Sequence, residues 1–166
     1  MAVFFSGMEI LEVAVKIEEN GIVFYSQLAL ASKRPELRST FEYLVGQEKL
    51  HKQIFTKMED SAGKSYTVES YPGEEAAYLK SLADSILFTP DKVKEMAVKA
   101  DEKEALDLAL GFEKDAVLFY TDMMGIVRDQ DKKIVEWVVG QEKTHIKRIL
   151  DLKAMLAAGT VQNYGH

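Results

Sequence analysis

The chain has no cysteine among its 166 residues. Disulfides, iron–sulfur clusters and thiolate zinc sites are therefore excluded. Any metal must be held by His, Asp and Glu, which are harder ligands. Proline is nearly as scarce. The three present, Pro35, Pro72 and Pro90, fall in expected connections or at helix starts, so long helices are free of the residue that breaks them. Basic charge is in deficit, 21 Lys and Arg against 27 Asp and Glu, for a net charge of −6. Without a basic run, nucleic acid is not an expected partner; metal cations or a basic protein suit this sign better. No apolar run is long enough to span a bilayer. Met1–Phe5 is apolar but has neither the basic flank nor the long apolar stretch of a leader. The expected location is the cytoplasm, with no membrane partner.

What the chain does have is helical periodicity, in four long segments. The first is expected from Ser6, with Glu9 completing a capping box, to about Ala31. The second starts at Pro35, a favourable first-turn proline, and runs to about Asp60, with Gly63 as its stop. The third spans about Asp101–Val127, and the fourth about Asp131–Ala158, with Gly159 as the stop. The first and last pairs are joined by a few residues, which makes them antiparallel neighbours. The middle connection, about residues 61–100, is long. It carries a Tyr71–Gly73 turn, then short helices expected near Glu74–Leu87 and Pro90–Ala100, with Thr89 as an N-cap. The expected fold is a single all-α domain over residues 1–166, a four-helix bundle with one long crossover between its second and third long helices.

An internal repeat organises the chain. Val45-Gly46-Gln47-Glu48-Lys49-Leu50-His51 recurs as Val139-Gly140-Gln141-Glu142-Lys143-Thr144-His145. The stretch Glu18 to Tyr25 is echoed by Glu113 to Tyr120. Each half supplies a helix with one Glu and a helix with Glu-x-x-His.

These acidic residues lie on otherwise apolar stripes. Helix one reads Leu11, Ala14/Val15, Glu18, Ile22, Tyr25, Ala29, and the long third helix reads Leu106, Leu110, Glu113, Val117, Tyr120, Met124. The other two carry Glu48 and His51, and Glu142 and His145, in the same way. Glu19 falls on a polar face with Glu12, Lys16 and Ser26, so Glu18 is the candidate. Burying four uncompensated carboxylates costs several kcal/mol per ion. Four carboxylates with two neutral imidazoles balance two divalent cations. Residues three apart on a helix are neighbours, so Glu-x-x-His can offer a bridging carboxylate and a terminal imidazole together. One Glu from each of two helices, plus Glu-x-x-His from each of the other two, is the ligand set of ferritin-like di-iron and di-manganese proteins.

On these motifs the chain resembles the rubrerythrin-like branch of the ferritin-like superfamily over nearly its whole length. The resemblance implies Glu18, Glu48, His51, Glu113, Glu142 and His145 as metal ligands, with Glu48 and Glu142 bridging. It implies two iron ions per chain, manganese or a mixed pair being compatible with the same donors. Two departures stand out. A full-length rubrerythrin also has a rubredoxin domain with iron on four cysteines, and this chain has no cysteine. Rubrerythrins also place a further Glu three residues after the third-helix ligand, where this chain has Ala116.

Three functions are open at this stage. The first is a di-iron oxidoreductase that reduces hydrogen peroxide or dioxygen with electrons from a separate donor protein, expected as a homodimer. The second is a ferroxidase for iron storage or detoxification. The third is a non-enzymatic metal-binding or sensing module. Tyr25 and Tyr120, two turns beyond Glu18 and Glu113, are candidates to hydrogen-bond a ligand carboxylate. Gln47 and Gln141 are candidates to accept from the imidazole of the opposite hairpin. Met8, Met58, Met96, Met123, Met124 and Met155 are expected to fill the core. Phe24, Phe119, Tyr43 and Trp137 are expected to pack, Lys49 and Lys143 to be solvated, and His166 to be disordered.

Overall fold

The computed structural model of the chain describes residues 7–63 and 74–162. Among them are α1 (Gly7–Ala31), α2 (Pro35–Ala62), α3 (Glu74–Ile86), α4 (Pro90–Lys99), α5 (Glu102–Met123) and α6 (Asp129–Gln162). The architecture is a ferritin-like bundle. α1 pairs with α2 and α5 with α6 as two hairpins. The crossover divides its work, with α3 packing on α5 and α4 on α1. None of the described helices is long and apolar enough to cross a membrane.

Local chemistry accounts for most boundaries. Pro35 opens α2, and Gly63 closes it at φ +43°, a backbone conformation that side chains with a Cβ rarely adopt. The Thr89 hydroxyl accepts the Lys92 N–H, and Pro90 fills the first turn of α4. Asp101 and Glu104 form a reciprocal capping box at α5. The capping box expected at Ser6, the Tyr71–Gly73 turn and His166 lie outside the described residues.

Two boundaries differ from the sequence reading. Gly159 does not stop the last helix, which continues to Gln162. Glycine weakens a helix by about 1 kcal/mol but ends it only when it turns left-handed, and Gly63 is the one described glycine with positive φ. The third long helix ends at Met123, four residues before Val127, in a turn where Arg128 pairs with Asp131 at 2.7 Å.

The core falls into two apolar clusters. One gathers Ile10, Leu11, Ile17, Phe55, Met58, Phe119, Met123, Val135 and Val138, roofed by Leu79, Ala83 and Ile86 of α3. The other gathers Phe24, Tyr25, Leu28, Phe41, Leu44, Leu106, Ala109, Ile149 and Leu152, roofed by Val93 and Ala97 of α4. On every long helix a polar step separates them: Glu18 on α1, Glu48 and His51 on α2, Glu113 on α5, Glu142 and His145 on α6. The four helices thus deliver one slice of charge between two apolar plugs. Met155 is not core; it is 50% exposed.

A buried cluster of four glutamates and two histidines

All six residues singled out in the repeat are buried, and the structure brings them together. Glu19 is exposed instead and pairs with Lys52 at 2.8 Å. Glu142 sits at the centre. One of its oxygens lies 2.8 Å from His51 Nδ1, and the other lies 2.9 Å from His145 Nδ1. Glu18 approaches His51 Nδ1 at 3.7 Å, Glu113 approaches His145 Nδ1 at 3.4 Å, and Glu48 approaches it at 3.7 Å. The two imidazoles stack with ring centres 5.5 Å apart.

Donor atoms converge in two sets, each within a 4.8 Å span: Glu18, Glu48, His51 and Glu142, and Glu48, Glu113, Glu142 and His145. Glu48 and Glu142 belong to both. Several of these buried atoms have no hydrogen-bond partner: Glu18 Oε2, Glu48 Oε1, Glu113 Oε2, Glu142 Oε1, both nitrogens of His51 and Nε2 of His145. Buried polar atoms are rarely left so. The His51 Nδ1–Glu142 contact is short but is not aligned as a hydrogen bond. Donors that face a common point without satisfying each other fit a pair of cations, and the charge of four carboxylates matches two divalent ions.

The electrostatics express the same crowding. Burial, then the carboxylates of Glu18, Glu142 and Glu113, hold the Glu48 carboxyl well above the usual range. Burial and Glu142 push Glu113 up to about 8, with His145 opposing. Burial disfavours charge on His51, yet Glu142 and Glu18 outweigh it and raise the imidazole to about 10. His145 reaches about 9 by the same balance, with Glu113 and Glu142 outweighing burial. Glu142 is depressed: burial would raise it, but the flanking His145 and His51 prevail.

The two tyrosines cross between hairpins. Tyr25 on α1 donates to Glu113 on α5, and Tyr120 on α5 donates to Glu18 on α1. Burial, reinforced by the carboxylate each faces, holds both phenols well above their ordinary value, so they remain neutral donors. Gln47 and Gln141 do not play the part expected of them. Nε2 of both histidines is without a partner, and the glutamines are half-buried one step around the helix from the site. Aromatic rings border the imidazoles instead. Trp137, 44% exposed, meets His51 edge to face at 6.1 Å. Tyr43 meets His145 at 6.2 Å and is covered by the Arg148 guanidinium at 4.1 Å.

Sequence reasoning missed Gly21. The apolar stripe of the sequence runs through Ile22, which is only half-buried, whereas Gly21 is buried against Glu48. A Cβ there would lie 2.9 Å from Glu48 Oε2 and 3.1 Å from both Glu48 Cγ and Phe112 Cε1. Two alternatives fit a helical stripe at that point, three or four residues after Glu18. A glycine inside a helix was the available signal, since it is disfavoured there without a packing reason.

Comparison with known proteins agrees with this geometry. No curated protein matches the chain. A crystal structure from Thermotoga maritima, of a protein described as ferritin-like and diiron-carboxylate, superposes with a TM-score of 0.72. The two chains are 27% identical, and the match covers 91% of this chain and 96% of that one. The pattern defining the rubrerythrin family matches residues 9–105, which include Glu18, Glu48 and His51. Glu113, Glu142 and His145 lie beyond that span; the fold closes them onto the first three. With more than half of its length matched, the chain belongs to the rubrerythrin family.

Proposed function

We propose that Glu18, Glu48, His51, Glu113, Glu142 and His145 bind two iron ions per chain, and that the protein reduces peroxide or dioxygen. The observation that carries this reading is the pair of four-residue donor sets sharing Glu48 and Glu142. Such sharing suits two ions, with Glu48 and Glu142 available to both. A ferrous pair, when bound, would supply two electrons together, the number that cleaves a peroxide O–O bond or takes dioxygen to peroxide.

The chain's own groups set the conditions for that chemistry. Tyr25 and Tyr120 fix the orientation of Glu113 and Glu18, the two glutamates that serve one set each. Each phenol also keeps a proton one hydrogen bond away from a carboxylate. The apolar clusters above and below the site limit water, which strengthens the hold of the carboxylates on cations. These 166 residues hold no cysteine for a rubredoxin-type iron, so in this reading the electrons reach the cluster from outside this domain.

Anaerobic loading with ferrous iron, removal of excess and metal analysis test the first half. Two irons per chain are expected; none, or binding that never saturates, would sink the reading. Rapid mixing of the loaded protein with hydrogen peroxide and with dioxygen tests the second half. Fast oxidation by either supports reduction chemistry, and inertness to both reduces the site to a passive metal store.

A further inference from the structure

A groove of about 770 Å³ opens beside the buried cluster, where the break between α3 and α4 passes over α1 and α5. Its position is set by the crossover. α3 roofs one apolar cluster and α4 the other, so their junction falls at the level of the charged slice between them. Asn20, two residues past Glu18, pins that junction by accepting the Phe88 N–H at 2.8 Å. Phe112, immediately before Glu113, forms the inner wall.

Apart from Asp115 at its rim, the lining is apolar where it is uncommitted. Phe24, Phe88, Val93, Met96, Leu108 and Phe112 face the groove. Its charged groups are already engaged: Lys99 with Glu95, Asp107 with Lys153, and Glu104 with the Asp101 N–H at the α5 cap. Asp115 stands exposed at the rim. An occupant would therefore be neutral and largely apolar. The inner wall also comes close to the cluster. The point where a Gly21 Cβ would stand is 3.1 Å from Phe112 Cε1 and 2.9 Å from Glu48 Oε2. Phe112, on the groove wall, and Glu48, a carboxylate common to both donor sets, therefore flank the same point on α1.

Hydrogen peroxide needs no such space, since it is scarcely larger than a water molecule, whose liquid share is ~30 Å³. A pocket of several hundred Å³ with apolar walls suits a small organic ligand. The geometry points to organic hydroperoxides with an apolar tail as substrates, the tail lying in the groove and the –OOH passing Phe112 toward Glu48. This deepens the proposed function and rests on it. The reaction is ROOH + 2 e⁻ + 2 H⁺ → ROH + H₂O. The O–O bond breaks, a ferrous pair gives up both electrons, and a one-electron donor protein restores them in two transfers.

The test uses the iron-loaded chain with cumene hydroperoxide, its product alcohol and hydrogen peroxide, in wild type and Gly111→Leu. Gly111 lines the groove on α5, and a Cβ there meets nothing within 4 Å, so the variant folds and gains helix propensity. Four results are expected together. The alcohol raises the melting temperature of the wild type. It inhibits cumene hydroperoxide turnover competitively. Gly111→Leu raises KM for cumene hydroperoxide by on the order of tenfold, the scale of a misfitting apolar group. The variant reduces hydrogen peroxide at the wild-type rate. Hydrogen peroxide turnover without alcohol binding, or equal losses with both peroxides, overturns the groove assignment while leaving the proposed function standing. Inertness to both peroxides overturns the peroxide half of the proposed function and the hydroperoxide assignment with it, even if the alcohol binds.

Discussion

The two hairpins carry seven-residue motifs that differ only at Leu50 and Thr144, yet their glutamates occupy opposite electrostatic positions. Glu142, from α6, lies between both imidazoles and is depressed by them. Glu48, from α2, has its nearest imidazole nitrogen at 3.7 Å and faces three other carboxylates; its carboxyl is held high. A repeat assigns positions on helices. It does not assign partners, because side chains choose among neighbours that are equivalent only on average. Before metal binds, one hairpin's glutamate compensates charge and the other's adds to the crowding.

That contrast is easiest to break by removing each charge in turn. Glu142→Gln should destabilise the metal-free protein by about 3 kcal/mol, the scale for stripping one partner from a buried ion pair. Glu48→Gln should leave its stability unchanged or raise it, because it removes a carboxylate from among carboxylates. Both variants should lose uptake at both metal positions, since each residue serves both donor sets. Glu18→Gln and Glu113→Gln, serving one set each, should retain one ion. Urea denaturation of the metal-free variants and metal analysis of the loaded ones check this. Equal destabilisation by Glu48→Gln and Glu142→Gln would show that the asymmetry is not real.

The next effect is a dependence on pH. The metal-free fold keeps protons on His51 to about 10, on His145 to about 9 and on Glu113 to about 8, against ordinary values of 6.5 and 4.5. The folded state therefore binds more protons than the unfolded chain across that range, and stability falls as pH rises through it. The melting temperature of metal-free protein should drop steadily from pH 6.5 to 10. Glu142, shifted the other way, contributes stability that is lost only below pH 4.5. Metal ligation requires the deprotonated forms, so loading should release protons and affinity should climb over the same window. Calorimetric titration in two buffers of different ionisation enthalpy measures the release. A metal-free melting temperature that climbs toward pH 10 would contradict the whole arrangement.

How much of this was legible beforehand follows from what each signal depends on. The six cluster residues were readable because a carboxylate on an apolar stripe is costly wherever the helix packs, and the motif occurs twice. The crossover's helices were readable from Thr89-Pro90 and the long gap between hairpins, although not the groove they frame, which depends on where two short helices part. Gln47 and Gln141 were misassigned because adjacency in sequence is a large rotation around a helix. Gly159 does not act as a stop because glycine permits a left-handed residue without imposing one. The different surroundings of Glu48 and Glu142 had no sequence signal at all, since their flanking residues are nearly identical.

Glycine supplies the smallest effect and the finest comparison between the hairpins. Gly21 on α1 corresponds to Ala116 on α5, and both are buried. α1 can approach Glu48 as it does only without a Cβ, since that atom would stand 2.9 Å from Glu48 Oε2. Gly46 and Gly140, two residues before the paired glutamates, are exposed, and a Cβ at either meets nothing within 4 Å. Replacing an interior helical glycine with alanine is intrinsically worth about 1 kcal/mol. Gly46→Ala and Gly140→Ala should each realise most of that gain and leave metal affinity unchanged. In Gly21→Ala the same gain is opposed by displacement of Glu48 and Phe112, so stability should change little while metal affinity falls by on the order of tenfold, as when a ligand is held off its position. Ala116→Gly should lose about 1 kcal/mol and bind metal as before. Thermal melts of the four metal-free variants, paired with competitive metal titrations, separate the two kinds of glycine. If Gly21→Ala bound metal as tightly as Gly46→Ala, the close approach would be a packing detail with no bearing on the site.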